Sequence, residues 1–455
     1  MNRHYARFGA ITIAAAGLCL AVVSAAPRPE GEARAERAEQ NRPDAAGIPT
    51  FNKDVAPILY KNCTGCHRAG EIGPMSLVTY NDARPHAKAI RDEVGDGNMP
   101  PWHADPKYGK FSNDRSLSDK DRETLLRWVN NGAPEGDKAD LPPAPRYDDG
   151  WSIGAPDVVF EMPEAFKVPA EGMIEYEYFY IPTNFGEPKW VDAIEIRPGN
   201  RELVHHVLAY YVAEPDVKRQ PMFQRNQAQS TFPDRQAQPT HPRRNDKTPK
   251  RLIATYAPGT NPQVFRPGTA VRLEAGGVIE FQMHYTANGK AGTDRSKIGL
   301  RFSREPKPRE ILVNHFYNAS LKLPAGQEDI RVDAELTFVS DTVVYGLFPH
   351  THVRGNKWEY TLELPDGTKK TILSVPRYDF NWQTYYMFAE PLTIPKGSKL
   401  VSSAWYDNSS RNKSNPDPKS DVTWGDQTWE EMQYTGILYS PAPAPATTSS
   451  AGGVR

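Results

Sequence analysis

Two histidines, His350 and His352, stand one residue apart, directly after an apolar run at 343–347 that predicts a β-strand. Side chains on a strand alternate between its two faces, so both imidazoles leave the same face and could close on one metal ion. Two unrelated surface histidines would show the same spacing, and short motifs of this kind have a real false-positive risk. The choice between these interpretations depends on the rest of the chain.

A second pattern, Cys63-Thr64-Gly65-Cys66-His67, has the spacing of covalent c-type haem attachment. The two thiols would form thioethers with the haem vinyl groups, and His67 would bind the iron. A redox dithiol and half of a zinc site are the alternatives. A redox dithiol is more usual in a βαβ unit, and the one other cysteine, Cys19, offers no second pair to complete a zinc site. The sequence therefore predicts one covalently bound haem.

Four more residues could bind metal beside the first histidine pair, namely His205, His206, His284 and Met432. Adjacent strand residues point to opposite faces, so His205 and His206 could share a metal only through a bulge or through different ring nitrogens. Imidazole suits copper or zinc, whereas a thioether selects Cu(I). Three histidines would make one site, and two histidines with a methionine would make a second that prefers reduced copper.

Helical patterns surround the cysteine motif between residues 49 and 140. Apolar residues at 55–59 mark a first helix, and the stretch 86–94 predicts a second. The third helix has the clearest limits, because Ser118 is a predicted N-cap and Gly132 a predicted stop. These residues predict a small all-α domain around the haem.

Strand patterns follow a proline-rich linker at 141–145. Apolar and polar residues alternate at 174–180, and similar short runs, separated by Pro and Gly, continue to about residue 440. The predicted fold is therefore multidomain, a small all-α domain followed by two antiparallel β-sandwich domains. Residues 214–250 show no strand pattern, and a loop well beyond ~12–15 residues predicts a mobile insert.

The N-terminus predicts export to the periplasm. Arg3 and Arg7 precede an apolar run at 11–26 that ends in small residues, which is typical of a cleaved signal peptide. The run is short for a membrane span of about 20 residues, so a retained anchor is the lesser alternative. The predicted segments are a signal peptide at 1–26, a flexible linker at 27–48, the all-α domain at 49–140, a linker at 141–150, the two sandwiches at 151–296 and 297–440, and a disordered tail at 441–455.

The overall charge is balanced, with 55 Lys and Arg against 56 Asp and Glu. Neither a nucleic acid nor an anionic membrane is therefore a predicted partner.

The helical domain resembles class I cytochromes c from about residue 51 to residue 136. In that family the sixth iron ligand is a methionine before the last helix, and Met99 in Asn98-Met99-Pro100-Pro101 matches that position. Met75 and His103 are the competing candidates. A methionine ligand would raise the reduction potential of the haem.

Residues 150–440 resemble the type II copper, ascorbate-dependent monooxygenases, which include the peptidylglycine α-hydroxylating and dopamine β-monooxygenase enzymes. The resemblance lies in the order His-His, His-Tyr, His-Thr-His and Gly-x-x-Thr-x-x-Glu-Met. It implies one copper, for electron transfer, on His205, His206 and His284. It implies a second copper, for dioxygen and substrate, on His350, His352 and Met432. A small-molecule substrate would be hydroxylated, with electrons from an ascorbate-like reductant or a redox protein passing through the fused cytochrome.

Two departures from that family narrow the expectation. The animal enzymes carry disulfides in these domains, whereas this chain has no cysteine after Cys66. The peptide-amidating members have an arginine where Phe348 stands, so a glycine-extended peptide is not the expected substrate. Residues that could line the pocket instead are Phe348, Tyr434, Tyr385, Tyr386 and Met387. The alternative function is an electron-transfer or copper-handling protein without monooxygenase activity.

Overall fold

The computed structural model describes residues 47–69, 71, 73–146, 151–172, 174–213, 223–225, 250–257, 260, 262–425 and 427–443. From residue 49 onward these residues belong to one compact unit. The predicted signal peptide lies outside the described residues, as do the first linker up to residue 46, positions 147–150 of the second linker and the tail from residue 444.

The N-terminal part of this unit is a helical region. Its helices are α1 (Ala56–Asn62), α2 (Tyr80–Ala83), α3 (Ala87–Gly95) and α4 (Asp119–Asn130), with single turns at Phe51–Val55, Arg84–His86 and Lys138–Asp140. The Ser118 hydroxyl accepts a hydrogen bond from the Asp121 amide at 3.1 Å, which confirms the predicted N-cap of α4. Phe51, Leu59, Leu125 and Trp128 are fully buried and form the centre of a small core.

The rest of the unit consists of strands, so the predicted strand-rich architecture is confirmed. In chain order the strands are β1 Val158–Glu161, β2 Phe166–Val168, β3 Glu177–Pro182, β4 Lys189–Arg197, β5 Val204–Val212, β6 Phe223–Arg225, β7 Lys250–Tyr256, β8 Gln263–Val264, β9 Thr269–Leu273, β10 Val278–Tyr285, β11 Gly292–Asp294, β12 Lys297–Phe302, β13 Arg309–Glu310, β14 Leu312–Tyr317, β15 Lys322–Leu323, β16 Ile330–Phe338, β17 Thr342–His350, β18 Gly355–Glu363, β19 Lys369–Val375, β20 Tyr386–Ile394, β21 Lys399–Tyr406, β22 Val422–Thr423 and β23 Tyr434–Pro441.

Four larger sheets contain most of these strands. The first two have the orders β1-β12-β4-β9-β13, with β8 beside β4, and β3-β10-β5-β7. The other two have the orders β14-β23-β17-β20 and β19-β18-β21-β16-β6. Among the strands of the described residues, every pairing is antiparallel except that of β13 with β9. Because β12 pairs with β1 and β4, residues 297–302, which follow the boundary predicted at 296/297, belong to the first sheet.

Strand β17 lies between two cores, and this position explains why almost every one of its residues is buried. Val343, Tyr345 and Phe348 pack into the core of the first two sheets. Val344 and Leu347 face the other way, into the core of the last two sheets. The strand that leads into His350 is therefore held on both faces, and it packs the two strand-rich parts together.

The predicted insert at 214–250 contains a strand, which the sequence pattern did not reveal. Residues 223–225 form β6 and pair with β16, so this piece belongs to the last sheet. Residue 250 begins β7. The rest of the insert lies outside the described residues.

The segment 102–112 joins the helical region to the last two sheets. Trp102 and Phe111 pack into the core of those sheets, and the rings of both contact Tyr386. The Ser112 amide donates to the Met387 carbonyl at 2.8 Å. Within the described part of the chain, no helix has both the length and the apolar character needed to cross a bilayer.

Candidate metal centre

The candidate three-histidine site lies on two neighbouring strands, β5 and β10. His206 and His284 stand opposite one another in the register, and the next pair is Tyr285 with Val204. His205 is therefore the extra residue of a β-bulge, and a bulge re-aims a side chain. The Nδ1 atom of His206 lies 3.1 Å from that of His205 and 3.3 Å from that of His284. The structure thus brings all three predicted ligands together, by one of the two routes that the sequence left open.

The geometry of these nitrogens fits a metal ion. Bonds of about 2.0 Å in a tetrahedral arrangement place donor nitrogens about 3.3 Å apart, close to both separations. Burial lowers the pKa of His284 to about 3 and that of His206 well below its usual value. The rings are therefore neutral at neutral pH and keep a lone pair for a metal. A proton shared between two of the rings would satisfy one pair and leave the third nitrogen facing them.

Aromatic side chains hold these rings from two sides. Tyr176 meets His284 edge-on at a centroid distance of 5.1 Å, and it meets His206 at 5.8 Å. Phe380 stacks on His205 at 5.2 Å with an interplanar angle of 24°. Packed rings limit the rotation of the imidazoles, so the nitrogens stay convergent.

The second histidine pair lies at the end of β17. His350 is the last residue of the strand and pairs with Tyr434, whereas His352 follows the strand. The His350 Nδ1 contacts Gln383 Oε1 at 2.7 Å, and the His352 Nδ1 contacts the Glu430 carbonyl at 3.1 Å. The Gln383 amide nitrogen donates to a backbone carbonyl, which assigns its oxygen to His350.

Both acceptors are oxygens without a proton, so each histidine donates from Nδ1 and carries its lone pair on Nε2. The Nε2 atom of His352 is buried and has no hydrogen-bond partner among the described residues. Burial lowers the pKa of His350 to about 4, which keeps this ring neutral. A buried lone pair without a donor is costly unless a metal or a ligand group engages it, so His352 fits a metal ligand.

A buried carboxylate, Glu431, shapes the turn after His350. Its two oxygens accept the amides of His352 at 2.7 Å and Arg354 at 3.2 Å. Arg354 is itself 1% exposed, and its guanidinium donates to Asn408 and to the Trp429 carbonyl. Burial raises the pKa of Glu431 to about 8, against the lowering effect of its donors. The sequence motif contained Glu431, but a buried hydrogen-bond network cannot be read from residue spacing.

Met432, the predicted sulfur ligand, lies on the wall of a cavity of about 150 Å³ that His350 and His206 also line. Its carbonyl accepts a hydrogen bond of 2.8 Å from the buried Tyr406 hydroxyl. The two histidine sets also interact electrostatically. The pKa of His206 is lowered first by burial, then by His284 and His205, and further by His350 and His352. One cavity therefore joins residues of both predicted sites.

The predicted pocket residues divide into two groups. Phe348 and Tyr434 line the cavity. Tyr385 packs on Phe348 at 4.9 Å, Tyr386 belongs to the core of the last two sheets, and Met387 packs against the first core. The last three therefore support the wall rather than form it.

A stack of rings forms one wall of the cavity, and of its members only Tyr434 was predicted as a lining residue. His315 stacks on Tyr434 at 5.1 Å, and Tyr317 stacks on Trp424 at 4.9 Å. His315 and Tyr317 stand two residues apart on β14, so they share a face of that strand. That alternation was a visible signal, but the spacing gave no sign of their stacking partners, Tyr434 on β23 and Trp424 just after β22.

The cysteine motif follows α1 in a tight turn. The amides of Cys66 and His67 both donate to the Cys63 carbonyl, at 3.0 and 2.9 Å. The His67 Nδ1 lies 3.3 Å from the Met75 carbonyl, an acceptor, so the lone pair of this ring is on Nε2. Both cysteines are free thiols, and burial raises the pKa of Cys63 to about 12. Two unpaired thiols beside an imidazole with a free Nε2 fit covalent haem attachment.

The three candidates for a sixth iron ligand differ in their surroundings. Met99 is 40% exposed. Met75 packs against the helical core, and its backbone carbonyl accepts a hydrogen bond from the His67 Nδ1. Both ring nitrogens of His103 are buried without a hydrogen-bond partner among the described residues. Burial also lowers the pKa of His103, so it is a neutral imidazole with a free lone pair.

Comparisons with known proteins add little to this geometry. No protein-family model and no curated protein matches the chain. Among solved structures, infectious bursal virus derived T=1 particles share 9% identity over 62% of this chain and 69% of that chain, with a TM-score of 0.18. A structure of allantoicase shares 7% identity over 53% of this chain and 81% of that one, with a TM-score of 0.16. Likenesses this weak carry no argument about fold or function.

Proposed function

We propose that this chain is an exported monooxygenase that holds one haem and two copper ions and hydroxylates a C–H bond of a small molecule with dioxygen. The observation that carries the proposal is the cavity shared by the two candidate copper sites. His206 of the three-histidine site lines it, and so do His350 and Met432 of the other site. A substrate in this cavity would lie beside the second site and within the same enclosure as the first.

The two donor sets suit two different tasks. Copper bound to them would supply one-electron chemistry, and the thioether of Met432 would favour the reduced ion at the second site. The chain keeps the imidazoles neutral by burial and orients them through hydrogen bonds and ring contacts. Outer contacts of this kind fix tautomer and ring orientation in metal sites.

The cavity favours an uncharged substrate. Its walls are mainly aromatic, and Phe348 stands beside His350 with near-parallel rings at 6.1 Å. Lys250 is the one cation among the described lining residues, and it pairs with Glu280 and lies over the Tyr210 ring. A substrate carboxylate would therefore find no uncommitted cation here, which agrees with Phe348 in place of the arginine of the peptide-amidating enzymes.

The cysteine motif supports the haem part of the proposal. Cys63 and Cys66 would hold the haem through thioethers, and His67 would present Nε2 to the iron. The group would supply one-electron redox chemistry, for which an ascorbate-like reductant or a redox protein is the proposed donor. The helical core and the Ser118-capped helix are compatible with a cytochrome c domain. The paired sheets are likewise compatible with two antiparallel β-sandwich domains.

The test begins with metal analysis of the full chain, exported from cells that mature c-type haem and are supplied with copper. The expected content is one haem iron and two copper ions per chain. A library of uncharged small molecules is then screened for substrate-dependent dioxygen uptake, with mass spectrometry to find a product heavier by one oxygen.

The variant Met432→Ala should abolish substrate-dependent dioxygen uptake, and its unchanged haem spectrum serves as the internal control. Full metal loading without dioxygen uptake for any library member would overturn the monooxygenase proposal. That outcome would favour the electron-transfer or copper-handling alternative.

A further inference from the structure

One seven-residue segment, Arg377–Gln383, contacts both histidine sets and also the helical region. It lies between β19 and β20, and we call it the coupling segment. Neither its composition nor its spacing distinguished it in the sequence.

At the second site the coupling segment contacts His350 directly. Gln383 is 5% exposed, accepts the His350 Nδ1 proton at 2.7 Å and donates to the Phe380 carbonyl at 3.0 Å. The Tyr378 hydroxyl donates to the Thr351 carbonyl and accepts from the Thr351 amide, both at 3.1 Å. The residue between the two histidines is thus pinned by one side chain, and the imidazole of His350 by another.

Phe380 extends the same segment to the three-histidine site. Its ring stacks on His205 at 5.2 Å and 24°, and it meets His352 edge-on at 6.1 Å and 81°. One phenyl ring therefore contacts a predicted ligand of each site. A shift of this ring must change the space available to both imidazoles, because packed interiors contain few voids.

The other end of the coupling segment is fastened to the helical region. The guanidinium of Arg377 donates to the carbonyls of Asp96 and Gly97, at 2.9 and 2.8 Å, just after α3. The Trp382 ring packs against the Arg115 guanidinium at 5.3 Å. Arg115 in turn hydrogen-bonds Cys66 of the haem motif. The segment therefore contacts both histidine sets directly and is linked to the cysteine motif through Arg115.

We propose that the coupling segment positions both histidine sets, with Gln383 as the positioning residue of His350 and Phe380 as that of His205 and His352. We further propose that its anchors, Arg377 and Trp382, make the alignment of both sites depend on the helical region. The identity of the metal depends on the proposed function, whereas the contacts do not. Loss of an outer contact to a metal-bound histidine typically weakens metal binding by about 10–100-fold.

The first test compares Gln383→Met with Gln383→Glu in the full haem-loaded chain. Cu(I) affinity is measured by competition with a chromophoric chelator, and the oxidised copper sites by electron paramagnetic resonance. Gln383→Met removes the acceptor, so it should weaken one of two Cu(I) ions by about 10–100-fold and change one of two copper spectra. Gln383→Glu keeps an acceptor and should restore most of the affinity.

The matched control is Gln327→Met, at an exposed turn, which should change neither affinity nor spectrum. Native affinity and native spectra for Gln383→Met would overturn the assignment. If that variant does not fold, Gln383→Ala replaces it, and Phe380→Leu provides an independent measurement. Phe380→Leu should change both copper spectra, and an effect on neither would also overturn the proposal.

The anchor is tested by Arg377→Met, which replaces a residue that contacts none of the histidines directly. It should shift both copper spectra, and its effect on Cu(I) affinity should be non-additive with that of Gln383→Met in a double-mutant cycle. Strict additivity together with native spectra would limit the segment to local support and contradict the dependence on the helical region. Copper binding without hydroxylation would refute the proposed function alone, because none of these readouts requires activity.

Discussion

The two histidine sets are built in different ways. The three-histidine site lies on two hydrogen-bonded strands, and one β-bulge brings its three proposed ligands together. The other set takes His350 from a strand end, His352 from the following turn and Met432 from a distant loop. His350 keeps its backbone pairing with Tyr434, but side-chain contacts, chiefly those of Glu431 and Gln383, orient the His352 turn and the His350 ring.

This contrast predicts different sensitivities. Backbone pairing fixes the first site, because strand register determines which residues are opposite each other. The second site depends on a few buried polar groups, each of which has a large effect if its partner is removed. The second site should therefore be the easier one to disrupt without touching a ligand.

The largest effect is expected for Glu431→Ala. It leaves the buried amides of His352 and Arg354 without their acceptor, so the free energy of unfolding should fall by about 3 kcal/mol or more. Urea denaturation of the copper-free chain measures this loss. Copper analysis should show that the three-histidine site still fills and the second does not.

Glu431→Gln is the matched variant, since it retains one acceptor oxygen and should lose less stability. The contrast between the sites breaks down if Glu431→Ala empties both of them equally, or if it leaves the second site intact.

Single ligand removals should come next in size. His284→Ala and His352→Ala should each reduce the copper content from two ions per chain to one, because each removes one donor of a separate set. Electron paramagnetic resonance should show that different signals are lost in the two variants. Loss of both ions from either variant would mean that the sites do not bind independently.

The difference between the sites also determines how much could be predicted from the sequence. The grouping of His205, His206 and His284 came from the resemblance in residue order, because the two strands that bring them together are 78 residues apart at His206 and His284. His350 and His352 were found by their spacing. The strand β17 was also predictable, since its apolar run is buried on both faces.

The supporting contacts could not be predicted in the same way. Gln383 and Glu431 lie 33 and 79 residues from the histidines that they contact, and their burial depends on packing of the whole unit. Ordinary polar residues in loops give no spacing signal. The pairing of β12 with β4 and the strand β6 inside the predicted insert were missed for the same reason, because both involve distant partners.

The cysteine motif extends the comparison to a third site, whose donors all lie outside long elements. Met99 is exposed, whereas His103 has two buried nitrogens without partners among the described residues. Met99→Ala and His103→Ala separate these candidates. Replacement of the true ligand should change the visible spectrum of the reduced haem and shift its reduction potential. The other replacement should leave both unchanged, and two unchanged spectra would direct attention to Met75.

The smallest effect is expected for Tyr406→Phe, which tests whether the second site depends even on its backbone contacts. The variant removes the donor to the Met432 carbonyl and should lower the free energy of unfolding by about 1 kcal/mol. Because that hydrogen bond holds the backbone of Met432, the proposed sulfur ligand, Cu(I) affinity at this site should also fall by several fold. Tyr345→Phe is the control, since it loses the buried hydrogen bond between its hydroxyl and Ser440, which involves no proposed ligand. A similar stability loss in both variants, with weaker copper binding only in Tyr406→Phe, supports the contrast, whereas equal copper affinity in the two would contradict it.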